Sequence, residues 1–312
     1  MQALILAGGK GSRMSRISAH LPKPLLYLPA GTLLDHQLAL LARLPVSHTF
    51  VVLHHRAQQM EQALWGHEGV TPLQQRPPFT LLGALASAER YMTEPFLVLH
   101  ADNYFSQGLD YFLQKAQTAV SSDTKPDATF LVDLQAGGLD RGRRLASTGC
   151  YVLSPQVFPV VKRFQDGDQL LCLTGGLLEY GAVVKEVPLR GWRANINDSQ
   201  DLLRASGHIL EEWSRSSHPL GAAEGYNRVE GCLKAEPPLW ISTESEVVDS
   251  DLGPYVVVGP RASVRNCELR EVIVFPGARV IGQRLERGVA LPAESGFLLL
   301  APEDQVRTHQ EG

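Results

Sequence analysis

The chain has 312 residues, enough for one large domain or two ordinary ones with a full core and no need of disulfide staples. Charged residues make up 20% and hydrophobic ones 44%, which excludes a wholly disordered or a membrane-embedded chain. With 29 Lys and Arg against 33 Asp and Glu the net charge is −4, and nothing resembles the basic footprint that duplex nucleic acid demands.

Cys150, Cys172, Cys232 and Cys267 are widely scattered, with no C-x-x-C pair, so neither a zinc site nor a disulfide framework is indicated. They read as reduced thiols. The start, Met1-Gln2-Ala3-Leu4-Ile5-Leu6-Ala7, lacks the basic flank of a signal peptide, and no apolar run approaches the ~20 residues needed to span a bilayer. A cytoplasmic location is the expectation.

The first predicted strand, 3–6, enters Ala7-Gly8-Gly9-Lys10-Gly11-Ser12-Arg13-Met14. Three glycines within four residues let backbone N–H groups face a phosphate without a Cβ in the way, and a following helix would add its positive end. A nucleoside triphosphate is the natural ligand; a bare strand-to-helix turn is the alternative. The spacing is not that of a Walker A loop, and Met14 stands where a dinucleotide fingerprint needs its third glycine. Arg13 adds a guanidinium suited to bidentate contact with phosphate oxygens. In His20-Leu21-Pro22-Lys23-Pro24 two prolines then stiffen the backbone around one lysine and prevent helix. Alone, Lys23 reads as a solvated loop residue; beside the glycine loop it reads as a positioned charge.

Apolar residues at every third or fourth position over 33–44, 81–92 and 109–120 predict helices, and β-rich runs over 49–53, 96–99, 128–134 and 183–188 predict strands. The alternation means an α/β fold with a mostly parallel sheet. The strand 96–99 ends in His100-Ala101-Asp102-Asn103-Tyr104, and in such sheets ligands gather beyond the carboxyl ends of strands. Asp102 is placed there either to hold a divalent metal or to cap a helix, while His100 reads as a packed strand-end residue. A helical stretch over 201–213 leads into a serine-, glycine- and proline-rich segment that reads as a linker. Beyond it Leu252, Val258 and Val264 recur at six-residue spacing, as do Val274 and Val280 after an irregular interval, the mark of a left-handed parallel β-helix, with the edge of a β-sandwich as the alternative. So few coils leave open ends, which favours self-association.

The set Leu6-Ala7-Gly8-Gly9-x-Gly11-Ser12-Arg13, Pro22-Lys23-Pro24, Ala101-Asp102-Asn103, Thr148-Gly149-Cys150-Tyr151 and Trp192-x-x-Asn195-Ile196-Asn197 resembles the sugar-1-phosphate nucleotidyltransferases over residues 1–210. The tail is similar to that of the longer glucose-1-phosphate thymidylyltransferases and mannose-1-phosphate guanylyltransferases. The resemblance implies a Rossmann-like, mostly parallel α/β domain over 1–215, a linker over 216–239 and a hexapeptide-repeat β-helix over 240–312, in a homo-oligomer. It implies an NTP and a sugar-1-phosphate as substrates, joined by in-line attack on the α-phosphorus with Mg²⁺ as cofactor. Leu6, Ala7, Gly8, Gly9, Gly11, Ser12, Arg13, Gln75 and Thr80 would bind the nucleotide. Arg13 and Lys23 would be catalytic, Asp102 with Asn195 or Asn197 would hold the metal, and Gly149 and Asp168 would meet the sugar.

Four departures bear on these expectations. Thr80 stands where the family has a glycine against the base, and the Glu-Lys-Pro segment that precedes Thr148 in the family is shortened to the basic turn Arg141-Gly142-Arg143-Arg144. Asp168-Gln169 keeps an acceptor and loses a cation. An amide as second metal ligand weakens the hold on Mg²⁺ unless substrate phosphates complete the shell. These changes leave a rival, a silent relative that binds nucleotide or sugar phosphate and scaffolds a partner. An acyltransferase tail is disfavoured, because no histidine lies between Trp240 and Gly282.

Overall fold

The computed structural model describes residues 1–9, 11, 14–118, 126–133, 147–166, 170–216, 232–293 and 296–300. They form two compact units, one comprising Met1–Gly11, His20–Leu25 and Leu34–Asn195, the other Ser12–Ala19, Leu26–Leu33 and Ile196–Gly312. In chain order the strands up to residue 195 are β1 (Gln2–Leu6), β2 (Tyr27–Leu28), β3 (Gly31–Thr32), β4 (His48–Leu53), β5 (Val70–Gln74), β6 (Phe96–His100), β7 (Asn103–Phe105), β8 (Ala128–Val132), β9 (Ser147–Leu153), β10 (Val184–Pro188) and β11 (Arg193–Asn195). The helices are α1 (Ser15–Ser18), α2 (Leu33–Leu41), α3 (Ala57–Leu64), α4 (Leu81–Ser87), α5 (Leu109–Thr118), α6 (Phe158–Arg163), α7 (Leu170–Glu179) and α8 (Ser199–Ser216).

The first unit is built on a seven-stranded sheet in the order β10-β8-β9-β6-β1-β4-β5, parallel except for β9. Its central strands read as unbroken apolar runs because both faces are covered. Alternate residues divide between two cores: Leu4, Val52, Phe96, Val98 and Phe130 face α4, α6 and α7, while Ile5, Val51, Leu97, Leu99 and Leu131 face α2, α3 and α5. The expected strands all form. β5 and β9 are additional in this sheet, and Pro72 interrupts the apolar pattern of β5. A proline is tolerated there because β5 is an edge strand.

In the second unit, β12 (Cys232–Ala235), β13 (Leu239–Ile241), β14 (Glu246–Val248), β15 (Ser250–Leu252), β16 (Val256–Val258), β17 (Ser263–Arg265), β18 (Glu268–Val274), β19 (Arg279–Ile281) and β20 (Arg284–Ala293) pair in parallel, and β21 (Gly296–Leu300) returns antiparallel to β20. Every parallel pairing among these strands joins residues 16 to 18 positions apart: Leu239 with Val256, Val257 with Ile273, Val247 with Val264, Val264 with Val280. The corners repeat at the same interval, with positive φ at Asp249, Asn266 and Gly282 on one and at Tyr255, Glu271 and Arg287 on another. The expected inward residues Leu252, Val258, Val264, Val274 and Val280 are all buried in one core. Strand β12, inside the stretch read as linker, already pairs with β15. Helix α8 belongs to this unit, where Tyr255 Oη donates to Glu211 Oε1 at 2.8 Å. No helix among the described residues is long and apolar enough to cross a membrane.

Candidate active site

Chain order reverses at β1: β4 and β5 lie to one side of it and β6 to the other. A crevice therefore opens beyond the carboxyl ends of β1 and β6, where Leu6 pairs with His100. This crevice is a cleft of about 330 Å³, lined among others by Leu6, Ala7, Gly8, Gly9, Lys23, Gln75, Thr80 and Asp102. These eight residues, drawn from four separated stretches of sequence, are brought to one wall by the fold.

The glycine loop needs its glycine at position 8. A Cβ there would stand 2.6 Å from Gln75 Oε1 and 3.2 Å from His54 Cβ. Gln75 is itself held, its Nε2 donating to Thr80 O at 2.8 Å and Pro78 O at 3.2 Å. Gly8→Ala must shift that amide and so strain the two bonds it donates, each worth ~1 kcal/mol. Nucleotide affinity measured by calorimetry should fall at least ~10-fold. Gly11 takes φ +63°, a left-handed turn that glycine adopts without strain. The helix expected after the loop is a single turn, Ser15–Ser18, too short to carry a sizeable dipole. Ser12 and Arg13, the strongest charge in the motif, lie outside the described residues, as do Asp168 and the basic turn 141–144.

Lys23 opens a 3-10 turn, Lys23–Leu25, closed by Leu25 N–H donating to Pro22 O at 2.9 Å. Its side chain is 13% exposed, with Nζ 3.7 Å from Asp102 Oδ2. Asp102 lies in the turn between β6 and β7, with no helix for it to cap, and its other oxygen accepts from Asn103 Nδ2 at 2.9 Å. The cap in this region is Thr80, whose Oγ1 accepts from Gly83 N–H at 3.0 Å at the start of α4 and donates to Gln165 O. A Thr three residues ahead of the helical glycine was the available signal.

Asn195 is Cα partner to Asn103, the residue after Asp102, on the antiparallel β7–β11 pair, and it is not among the residues that line the cleft. Asn197 falls in the second unit, its N–H donating to Asp201 Oδ2 at 2.8 Å at the entry to α8. Gly149 is not part of the cleft wall. At φ +72° on β9, it leaves room that a Cβ would deny to Asn103 Nδ2, 2.8 Å away, and to the His100 side chain.

Sequence reasoning passed over Phe79, Leu81, Ala84 and Leu170 in the same wall. Phe79 is exposed yet stacks on His54, ring centroids 3.8 Å apart. His100 lines the cleft as well, its Nε2 3.2 Å from Tyr151 Oη. Burial lowers its pKa below the ordinary histidine value, and Asp102 offsets part of that effect. Burial also pushes up the Tyr151 hydroxyl and the Cys150 thiol behind it.

A doubly covered sheet with a glycine loop, a lysine and a carboxylate around its switch point defines a nucleotide-handling α/β domain. Residues 3–138 match the model of the MobA-like NTP transferase domain. The bifunctional protein GlmU of Methanocaldococcus jannaschii is 23% identical over 225 residues, covering 68% of this chain and 55% of that protein. A low-salt glycan biosynthesis nucleotidyltransferase, Agl11 of Haloferax volcanii, is 21% identical and covers 96% of both chains. The glucose-1-phosphate thymidylyltransferase of Streptomyces antibioticus is 22% identical, covering 92% of this chain and 91% of its own. A crystal structure from Bacillus anthracis, described as a glucose-1-phosphate thymidylyltransferase in complex with sucrose, shares the fold with a TM-score of 0.56 at 18% identity, over 67% of this chain and 94% of that one.

Proposed function

We propose that the chain joins an NTP to a sugar-1-phosphate, releasing pyrophosphate and an NDP-sugar. The observation that carries this reading is the convergence of Gly8, Gly9, Lys23 and Asp102 on one cleft at the switch point. The names of the relatives, which include thymidylyl-, uridylyl- and guanylyltransferases acting on sugar-1-phosphates, support it.

In this reading a phosphate oxygen of the sugar-1-phosphate bonds to the α-phosphorus, and the bond from that phosphorus to the bridging oxygen of pyrophosphate breaks. Backbone N–H groups of Gly8, Gly9 and Gly11 cradle the phosphates, and Arg13 neutralises the leaving pyrophosphate as charge develops on it. Lys23 bridges the α-phosphate and the sugar phosphate. The apolar side of the cleft around Leu81 and Ala84 takes the base, with Gln75 and Thr80 at its edge. Gly149 and Asp168 belong to the sugar side, Gly149 through the space it leaves for Asn103.

The residues fit a hard divalent cation such as Mg²⁺. Asp102 is a carboxylate in the cleft wall, Asn195 is Cα partner to its neighbour Asn103, and among the described residues no group of three or more His, Cys, Asp or Glu converges to hold a metal. Asp102 and Asn195 would hold it, with phosphate oxygens and water completing the shell. When bound it supplies charge neutralisation at the transferred phosphoryl group.

The 16- to 18-residue registers and repeated positive-φ corners of the second unit support a left-handed β-helix, whose open ends we assign to contacts between copies of this chain in a cytoplasmic homo-oligomer. The test is pyrophosphate release from ATP, GTP, CTP, UTP and dTTP, each paired with glucose-, mannose- and N-acetylglucosamine-1-phosphate. At least one pair should turn over only with Mg²⁺ present. Absence of release from every pair, with nucleotide binding retained, would favour the scaffold instead.

A further inference from the structure

The turn that carries Asp102 is held by a buried polar chain that the reaction itself does not require. Asn103 is 2% exposed, and its two side-chain ends face different partners. Arg193 Nη1 donates to Asn103 Oδ1 at 3.0 Å, while Asn103 Nδ2 donates to Asp102 Oδ1 at 2.9 Å. A guanidinium has only donors and an ionised carboxylate only acceptors, so the carboxamide fits between them in one orientation. Arg193 is anchored in turn, its Nε 3.4 Å from Asp133 Oδ2, with both side chains largely buried. From the opposite side Gln37, 1% exposed, donates through Nε2 to His100 O at 2.9 Å and Asn103 O at 2.7 Å, clamping both ends of the turn.

We propose that Arg193 and Asn103 are positioning residues for Asp102, committing its Oδ1 to Asn103 so that Oδ2 alone is offered to the cleft. This rests on the reading of Asp102 as a metal ligand. A carboxylate that offers one oxygen is a poor site for a divalent cation by itself. The cation is then captured together with a triphosphate whose oxygens fill the remaining positions. Arg193 enforces this by fixing the carboxamide: without it Asn103 is free to turn its carbonyl toward Asp102, and the two oxygens repel. Outer-shell partners of this kind set metal affinity by ~10–100-fold when removed.

The test uses Mn²⁺ as the probe, followed by electron paramagnetic resonance on the full chain with and without each of ATP, GTP, CTP, UTP and dTTP. The wild-type protein should bind Mn²⁺ at least ~10-fold more tightly with its preferred nucleotide than without any. In Asn103→Ala and Arg193→Met the Mn²⁺ needed for half-saturation of the nucleotide-bound protein should rise at least ~10-fold, with nucleotide affinity in EDTA unchanged. Because both residues are buried, Arg193→Lys serves as the conservative variant: it keeps the charge facing Asp133 and should recover part of the Mn²⁺ affinity. Unchanged half-saturation in Asn103→Ala, or equal Mn²⁺ affinity with and without nucleotide in the wild type, overturns the proposal. So does a parallel loss of nucleotide binding in EDTA, which would mark the chain of residues as structural. Nucleotide binding without any Mn²⁺ binding would overturn the metal role of Asp102 itself, and no nucleotide binding would overturn the function.

Discussion

Asp102→Asn is expected to lower pyrophosphate release at least ~100-fold while the protein stays folded. The substitution keeps the size of the side chain and removes its charge, so it separates electrostatics from packing. Asp102 lies in a turn, not in a core, and its side chain is 33% exposed. Its ion pair with Lys23 at 3.7 Å is of the partly exposed kind that contributes little to stability. A melting temperature within a few degrees of the wild type is therefore expected. Catalysis is different, because among the described residues Asp102 is the one carboxylate lining the cleft, and removing it leaves the proposed cation without an anionic side chain there. Raising Mg²⁺ should recover part of the rate, since weakened binding is overcome by concentration whereas lost chemistry is not. Turnover of the variant within a few-fold of wild type at ordinary Mg²⁺ would remove Asp102 from the site.

The glycine loop and Asp102 were legible because their meaning is local: glycines at fixed offsets after an apolar run, and an acidic residue where a strand ends. The aliphatics that share one core in the second unit were legible for the same reason, since their six-residue spacing is local. What stayed hidden depends on distance along the chain. Asn103, Arg193 and Asp133 form one network, yet they are 30 to 90 residues apart and follow no period. Gly149 reads as a motif residue in sequence, while its positive φ and its nearness to Asn103 appear only when β9 is placed beside β6. The two metal candidates Asn195 and Asn197 look equivalent two residues apart. In the fold Asn195 closes β11 opposite Asn103, while Asn197 stands at the entry to α8 with its N–H donating to Asp201 Oδ2.

Lys23→Met is expected to produce a split result, with turnover falling at least ~100-fold while the affinity for a divalent cation holds or rises. Lys23 stands in the cleft wall at 13% exposure, fixed by prolines on both sides, and its ammonium faces the carboxylate assigned to the metal. In the free protein it occupies part of the field that a cation would otherwise feel, so its removal leaves Asp102 more attractive to Mn²⁺ or Mg²⁺. In the reaction, the attacking sugar phosphate and the α-phosphate are both anionic, and their approach needs a positive charge between them. Methionine fills the same space without that charge. A purely structural ion pair predicts something else: a small loss of stability, under ~1 kcal/mol, and turnover close to wild type. Measuring Mn²⁺ binding and steady-state turnover on the same preparation separates the two, and loss of both together would show that the substitution had disturbed the Asp102 turn. Lys23→Arg should remain well below wild type, because the broad planar guanidinium cannot take the place of a compact ammonium held between two prolines.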